Sequence, residues 1–415
     1  MKARLFFVSS SAIVICFALW FVTHFGARAV EPATLIIASD LHYIAPDLTD
    51  RGSYFQQIIE NADGKAMEYS EELIEAFTDQ VIEQNPDALI LSGDLTFNGA
   101  RLSHESLTDK LRRIKEAGIP VFVIPGNHDL ENSMAASFEG DSYTLVDSVT
   151  EAEFEELYQE FGYREALSRD DTSLSYVAEL ARDLRVLMVD VNTVDSPATV
   201  TDSTLSWVER QLQEAVAEGV HVIAVSHQNL LGHSSLFSFG FTMGNSERLL
   251  ELYEKYHVIC NLSGHMHVQH ITESERGLPD IASSSIATYP NQYGVLELDG
   301  LSAEYHTVPV DVSAWIGESE NPDLQDFAAY ARTFLWNTSY RQSASEISDD
   351  ENGQILKKFF ADINVPYIAG RMDEAPWSDE LYQKWRETAA FLLVYLQSVA
   401  DDGFQNHTVY LFSCG

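Results

Sequence analysis

Five times along this chain, a short apolar run gives way at once to a knot of Asp, Asn and His. The knots are Ser39-Asp40-Leu41-His42, Ser92-Gly93-Asp94, Gly126-Asn127-His128-Asp129, Ser226-His227 and Gly264-His265-Met266-His267. The runs before them cover residues 35–38, 88–91, 121–124, 220–225 and 258–262, and residues 186–191 form a sixth. All are short, apolar and rich in β-branched residues, the pattern of buried strands. Helical stretches lie between them. Leu73, Phe77 and Val81 fall four apart within residues 68–84, and Leu107, Leu111 and Ile114 before Gly118, like Leu205, Val208 and Leu212 before Gly219, recur at helical spacings of three and four. A glycine just past a periodic stretch is a helix-stop signal. Strands alternating with helices mean α/β layering. In such sheets ligands gather beyond the carboxyl ends of the strands. The five knots are therefore expected to converge on one sheet edge.

A second pattern follows. Residues 293–298 and 302–310 alternate in polarity and are joined by Asp299-Gly300, a hairpin signal, so the sheets are expected to be mixed. Residues 130–176 form an insertion with a helical stretch near 151–161, either a wall of the site or a plain connection. From 311 onward β-type runs are missing until 408–412, and residues 379–400 read as helical, with Ser378 as N-cap and Trp385, Ala389, Leu392 and Leu396 on one face. The expected organisation is a targeting segment at 1–30, an α/β domain at 31–310 and a helical domain at 311–415.

Charge narrows the partners. With 64 acidic against 25 basic side chains the formal charge is −39. Such a surface repels nucleic acid and anionic lipid headgroups. The first residues, Met1-Lys2-Ala3-Arg4, are basic, residues 5–22 are uncharged and mainly apolar, and Ala27-Arg28-Ala29 offers a small-x-small cleavage site. That is the pattern of a signal peptide, and it is also just long enough for a membrane anchor. Either way the rest of the chain is expected outside the cytoplasm, extracellular or held on the outer face of the membrane. Beyond that segment only Cys260 and Cys414 remain, which excludes a disulfide framework. Cys260, in an apolar run, reads as a buried thiol.

The knots supply carboxylate and imidazole donors and no thiolate. That set suits Mn, Fe, Zn or Ni. Two divalent or trivalent ions ~3.5–4 Å apart need one shared anion, and Asp94 is the natural bridge. Gly93, Gly126 and Gly264 are expected to let the backbone turn sharply at the strand exits. Among the other histidines, His221 and His257 read as packing or surface residues. His104, His233 and His270 either line the pocket or support it from behind. Asn98 reads as a loop-ordering residue.

Taken together and in order, the knots resemble the calcineurin-like metallophosphoesterase signature D-x-H, G-D, G-N-H-D/E, H and G-H-x-H, over about residues 34–310. The longer stretches SGDLTFNG at 92–99 and GHMHVQ at 264–269 are similar to exported metallophosphoesterases of Gram-positive bacteria, relatives of class III cyclic-nucleotide phosphodiesterases. The resemblance implies a four-layer α/β/β/α sandwich of two mixed sheets with a helical C-terminal domain. It implies one metal on Asp40, His42, Asp94 and His267, and a second on Asp94, Asn127, His227 and His265. His128 would protonate the leaving group, with Asp129 orienting its ring. Gln228 departs from relatives that carry a second His there. The implied activity is hydrolysis of small phosphodiesters, cyclic nucleotides among them, by in-line attack of a hydroxide held between the metals. A phosphomonoesterase or nucleotide pyrophosphatase is the alternative, and a non-catalytic phospholigand-binding protein is the alternative of another class. No protein partner is inferred.

Overall fold

A computed structural model describes residues 29–236, 240–388 and 391–414. The targeting segment expected at 1–30 lies outside the described residues but for its last two. Among the described residues no helix is long and apolar enough to cross a membrane.

Two mixed sheets form the centre. The first runs Val409–Ser413, Ser302–Pro309, Gln292–Gly300, Val30–Ala38, Ala88–Leu91, Val121–Val123. Its last three strands are mutually parallel and the others antiparallel. The second sheet runs His270–Glu273, Pro279–Ala282, Asn261–Ser263, His221–Ser226, Leu184–Val189, Tyr176–Ala181, Ser168–Arg169, with its middle four strands parallel. Period-two patterning tells each strand where its layers lie. Val186, Met188, Ile223 and Val225 share one core with Leu35 and Ile37 of the first sheet. Leu187, Val189, Val222 and Ala224, one residue out of step, pack instead on Leu205, Val208 and Leu212 of helix Asp202–Glu218 and on Leu249 and Tyr253 of helix Ser246–Lys255. Helices Ser70–Gln84 and Arg101–Glu116 cover the first sheet through Leu73, Phe77, Leu107, Leu111 and Ile114. The layering is thus α/β/β/α.

The hairpin forms one residue later than expected. Asp299 pairs with Ser302, so the turn is Gly300-Leu301, with Gly300 at φ 67°. In the insertion, the short strands Ala136–Glu139 and Ser142–Leu145 pair as a hairpin, and helix Glu151–Leu157 opens on a capping box of Thr150 and Glu153. Phe154 of that helix and Tyr158 just beyond it pack edge-on to His104. This helix is therefore a support element.

Past residue 310 the chain is mainly helical, with Phe327–Ser343, Glu351–Ile368, Asp379–Thr388 and Phe391–Asp401 as the longer helices. Ser378 Oγ accepts the Leu381 amide, as its N-cap assignment requires. Phe360 stacks on the fully buried Trp385 at 5.4 Å. Ala389 lies outside the described residues. Strand Val409–Ser413 then returns to the edge of the first sheet, beside Ser302–His306. Cys260 and Cys414 are both buried free thiols, and burial pushes the Cys260 thiol far up.

Candidate metal centre

The knots meet, but along two sheet edges rather than one. Asp40, Asp94 and Asn127 follow the parallel strands of the first sheet. His227, His265 and His267 follow strands His221–Ser226 and Asn261–Ser263 of the second. Within the first edge Asp40 N donates to Gly93 O and His42 N to Asp94 O, both at 3.0 Å, and within the second Gly264 N donates to His227 O at 3.0 Å; His265 N, donating to Asp40 Oδ2 at 2.9 Å, ties the two edges together.

The sharp turns at the strand exits are made largely by the donors themselves. Asp40, His42, Asp94, His265 and His267 have φ of 52°, 45°, 48°, 67° and 57°. Left-handed backbone at a residue with a side chain costs ~1–3 kcal/mol and survives only where the surroundings over-determine it. Here the flanking Ser39, Leu41, Tyr43, Leu95 and Met266 are buried and cannot relax. Of the three glycines expected to turn the chain, only Gly93 has a positive φ, 102°. Gly126 and Gly264 are needed for close approach: a Cβ at Gly264 would fall 1.7 Å from Ser39 Oγ, and one at Gly126 would fall 2.2 Å from Asp94.

The donors sort into two groups that share one member. Ligand atoms of Asp40, His42, Asp94 and His267 lie within 4.8 Å of one another, as do those of Asp94, His227 and His265. Asn127 Oδ1 sits 3.1 Å from His227 Nε2 and so belongs with the second group. Asp94 Oδ2 is central, 3.3 Å from His227 Nε2, 4.0 Å from His42 Nε2 and 3.9 Å from His128 Nε2. The packing fits a pair of cations. His42 Nε2 and His267 Nε2 face each other at 3.0 Å, and Asp40 Oδ1 is buried without a hydrogen-bond partner. Lone pairs aimed at one point, away from water, require positive charge between them.

Supporting contacts fix which nitrogen faces inward. His227 Nδ1 donates to Ser92 O at 2.9 Å, and His265 Nε2 donates to Gly240 O at 3.0 Å, leaving Nδ1 of His265 with the lone pair. His267 Nδ1 donates to Asp63 Oδ2 at 2.9 Å, and Lys65 Nζ lies 3.1 Å from the same oxygen. His42 Nδ1 has no such partner, and its ring is held edge-on between His128 and His267, 5.0 Å from each. Burial alone would raise Asp40 and Asp94. The rings of His267 and His227 outweigh it and hold both carboxyls well below the usual range. Reciprocally, burial pulls His227 and His267 down but neighbouring carboxylates push each up to about 9.

His128 stands at the mouth, its side chain 36% exposed, with Nδ1 donating to Phe97 O at 2.9 Å. Asp129 does not orient that ring, contrary to expectation. Its carboxylate is buried and taken by the amides of Leu95, Thr96 and Gly126 and by Thr96 Oγ1. Burial and the charge of Asp94 push it up to about 6. It ties two ligand loops together. Gln228 is buried and locked in a reciprocal amide pair with Asn192 at 2.7 and 2.9 Å. His104 bonds Tyr158 and Asp129 O behind the loops, and Asn98 holds the carbonyls of Met134 and Ala136. His233 and His270 lie at the junction with the helical region. Asp63, Lys65 and Gly240 were missed from the sequence because they sit in no knot and reach the centre only through folding.

Residues 33–269 match the calcineurin-like phosphoesterase family. The chain belongs to that family. Residues 311–406 match the C-terminal domain of cyclic nucleotide phosphodiesterase, so the family domain and its helical companion occur together here. A probable cyclic nucleotide phosphodiesterase of Vesicomyosocius okutanii is 25% identical over 187 residues, covering 44% of this chain and 63% of that protein. A probable glycerophosphodiester phosphodiesterase GpdQ of Arcobacter nitrofigilis is 25% identical over 189 residues, 45% of this chain and 58% of that protein. The chain thus spans under two thirds of the length of these curated relatives. Among solved structures, a dimetal phosphatase from Danio rerio aligns with a TM-score of 0.49 at 14% identity, covering 68% of this chain and all of that one.

Proposed function

We propose that the protein is an exported two-metal phosphoesterase acting on small phosphodiesters, cyclic nucleotides among them. The observation that carries this reading is Asp94 Oδ2, shared between two donor groups and 3.9 Å from the half-exposed His128. When bound, two cations supply Lewis acidity toward a phosphoryl oxygen and an acidified water. The chain's own residues do the rest. Asp40, His42, Asp94 and His267 would hold one ion, while Asp94, Asn127, His227 and His265 would hold the other. Phe97 O keeps the Nδ1 proton of His128 in place, so in the doubly protonated ring the Nε2 proton is the one available to the departing oxygen, and the ring is left neutral. Lys65, buried beside Asp63, adds a fixed positive charge near an anionic substrate. The names of the relatives and the C-terminal domain match favour diesters. The net charge of −39 disfavours polymeric nucleic acid. The basic and apolar N-terminal residues support export.

The test is chelation, reloading with Mn2+, and assay of bis-p-nitrophenyl phosphate, p-nitrophenyl phosphate and cyclic AMP, repeated on Asp94→Asn. Turnover of the diester above the monoester, lost in the variant, is expected. A monoester preference makes the protein a phosphomonoesterase. Full metal loading with no turnover of any ester leaves only a binding role.

A further inference from the structure

A second histidine cluster lies where the helical region meets strand His270–Glu273. Its contacts form a chain. Asp280 Oδ2 lies 3.2 Å from His233 Nε2, His233 Nδ1 lies 2.9 Å from His270 Nδ1, and His270 Nε2 lies 2.8 and 2.9 Å from the two Asp402 oxygens. Two neutral imidazoles bring two protons, which serve the His233–His270 and His270–Asp402 contacts. That leaves His233 Nε2 buried against Asp280 without a hydrogen bond. Asp280 cannot supply a proton there, because it accepts the amides of Leu230 and Leu231, Asn261 Nδ2 and Ser263 Oγ, which hold it ionised. The Asp280–His233 contact is one proton short. A third ring, His407, stacks at 4.0 Å on His270. His407 is only 7% exposed, and its Nε2 has no partner. The group forms the floor of a 410 Å³ cavity.

We propose that His270 Nε2, the Asp402 carboxylate and His407 bind a third divalent transition-metal ion, best matched by Zn2+, distinct from the catalytic pair. The ligand atoms already lie within 4.8 Å of one another. Two imidazoles and a carboxylate are a zinc donor set, and three protein ligands leave a fourth position open to the cavity. The ion completes the proton count. With metal on Nε2, His270 Nδ1–H donates to His233, and His233 turns its own N–H toward Asp280. That is a carboxylate–histidine relay behind a ligating histidine. One rearrangement is required. Two bonds of ~2.0–2.1 Å span at most ~4 Å, and His407 Nδ1 now accepts the Ile271 amide at 3.2 Å. The ring must turn off that amide to bring Nε2 in. The bound ion would staple residues 402–407 to the strand that begins three residues beyond His267.

The experiment uses the full chain loaded with Zn2+. Anomalous diffraction at the zinc edge should show a peak between His270, Asp402 and His407, and metal analysis should give three zinc per chain. His407→Ala should lose one equivalent. His233→Phe, which breaks the relay without touching the ion, should weaken the third equivalent ~10–100-fold. No peak at saturating zinc, or a third equivalent retained in His407→Ala, overturns the proposal. Because the peak's position is read directly, failure of the catalytic pair to load would not be confused with failure of this site.

Discussion

His227 and His267 in the metal pocket, and His270 and His407 at the helical junction, are all largely buried, yet their proton affinities diverge. Burial pulls every one of them down. In the pocket, Asp94 and Asp40 with their hydrogen bonds overcome burial, and both rings rise to about 9. At the junction burial wins: Asp402 only partly offsets it for His270, and His407, repelled further by its neighbour His270, drops to about 4. Carboxylates outweigh burial in the pocket, whereas at the junction the neighbouring rings of the cluster add to burial and the carboxylates do not overcome both. In the pocket His227 and His267 favour the proton while burial holds His42 and His265 down, and at the junction His270 and His407 favour the neutral form that ligates.

The comparison can be broken hardest at Asp94. Asp94→Asn removes the oxygen that both donor groups share, so metal analysis should find less than the full pair and turnover should fall to background. Next comes His128→Ala. It should keep its metal, because His128 is outside both donor groups, and lose ~10²–10⁴-fold in kcat, the usual share of a proton donor. An undiminished rate with metal bound removes His128 from the reaction. Asp63→Ala should weaken metal binding ~10–100-fold through the lost support of His267, measured by competition with a chromogenic chelator.

The smallest effect, on thermal stability, sharpens the contrast through pH. In chelated protein, His227 and His267 have folded values above the ordinary 6.5. Their contribution is fully present below that pH and is lost as pH rises through about 9. His407 runs the other way. Its folded value is depressed, so its contribution is present above 6.5 and is lost as pH falls toward about 4. Chelated His227→Gln should therefore flatten the alkaline limb of the Tm profile, and His407→Gln the acid limb. Metal-loaded protein should show no alkaline loss, because cations take the place of those protons.

What the sequence made legible follows the same divide. The metal ligands were readable because each sits within a few residues of a strand end, so local spacing encodes position in space. The helices over residues 70–84, 101–116 and 202–218 were readable from spacings of three and four for the same reason. Asp63 could not be read this way. It reaches His267 across 204 residues of chain, and nothing local marks it. His270 and Asp402 are separated by 132 residues and carry no motif. The resemblance implies that Asp129 orients the His128 ring, whereas the turn points its carboxylate back at the amides of Leu95, Thr96 and Gly126. The convergence on two edges was missed because strand-end logic gives the side of a sheet, not how many sheets supply it. Strands Tyr176–Ala181 and Pro279–Ala282 are short, and their place in the sheet is fixed by pairing with Leu184–Val189 and His270–Glu273.

One tetrapeptide carries a wider consequence. His265 and His267 turn toward the pocket while Met266 and Val268 enter the core of the helical region with Phe359, Phe360 and Trp385. Gln269 N then donates to Ile368 O at 3.0 Å. The same few residues thus serve as the ceiling of one room and the floor of another. A lesion in those helices, far from any phosphate, would be felt first as a leak of metal, so inherited or engineered damage there would masquerade as a catalytic defect and yield to excess cation in the medium.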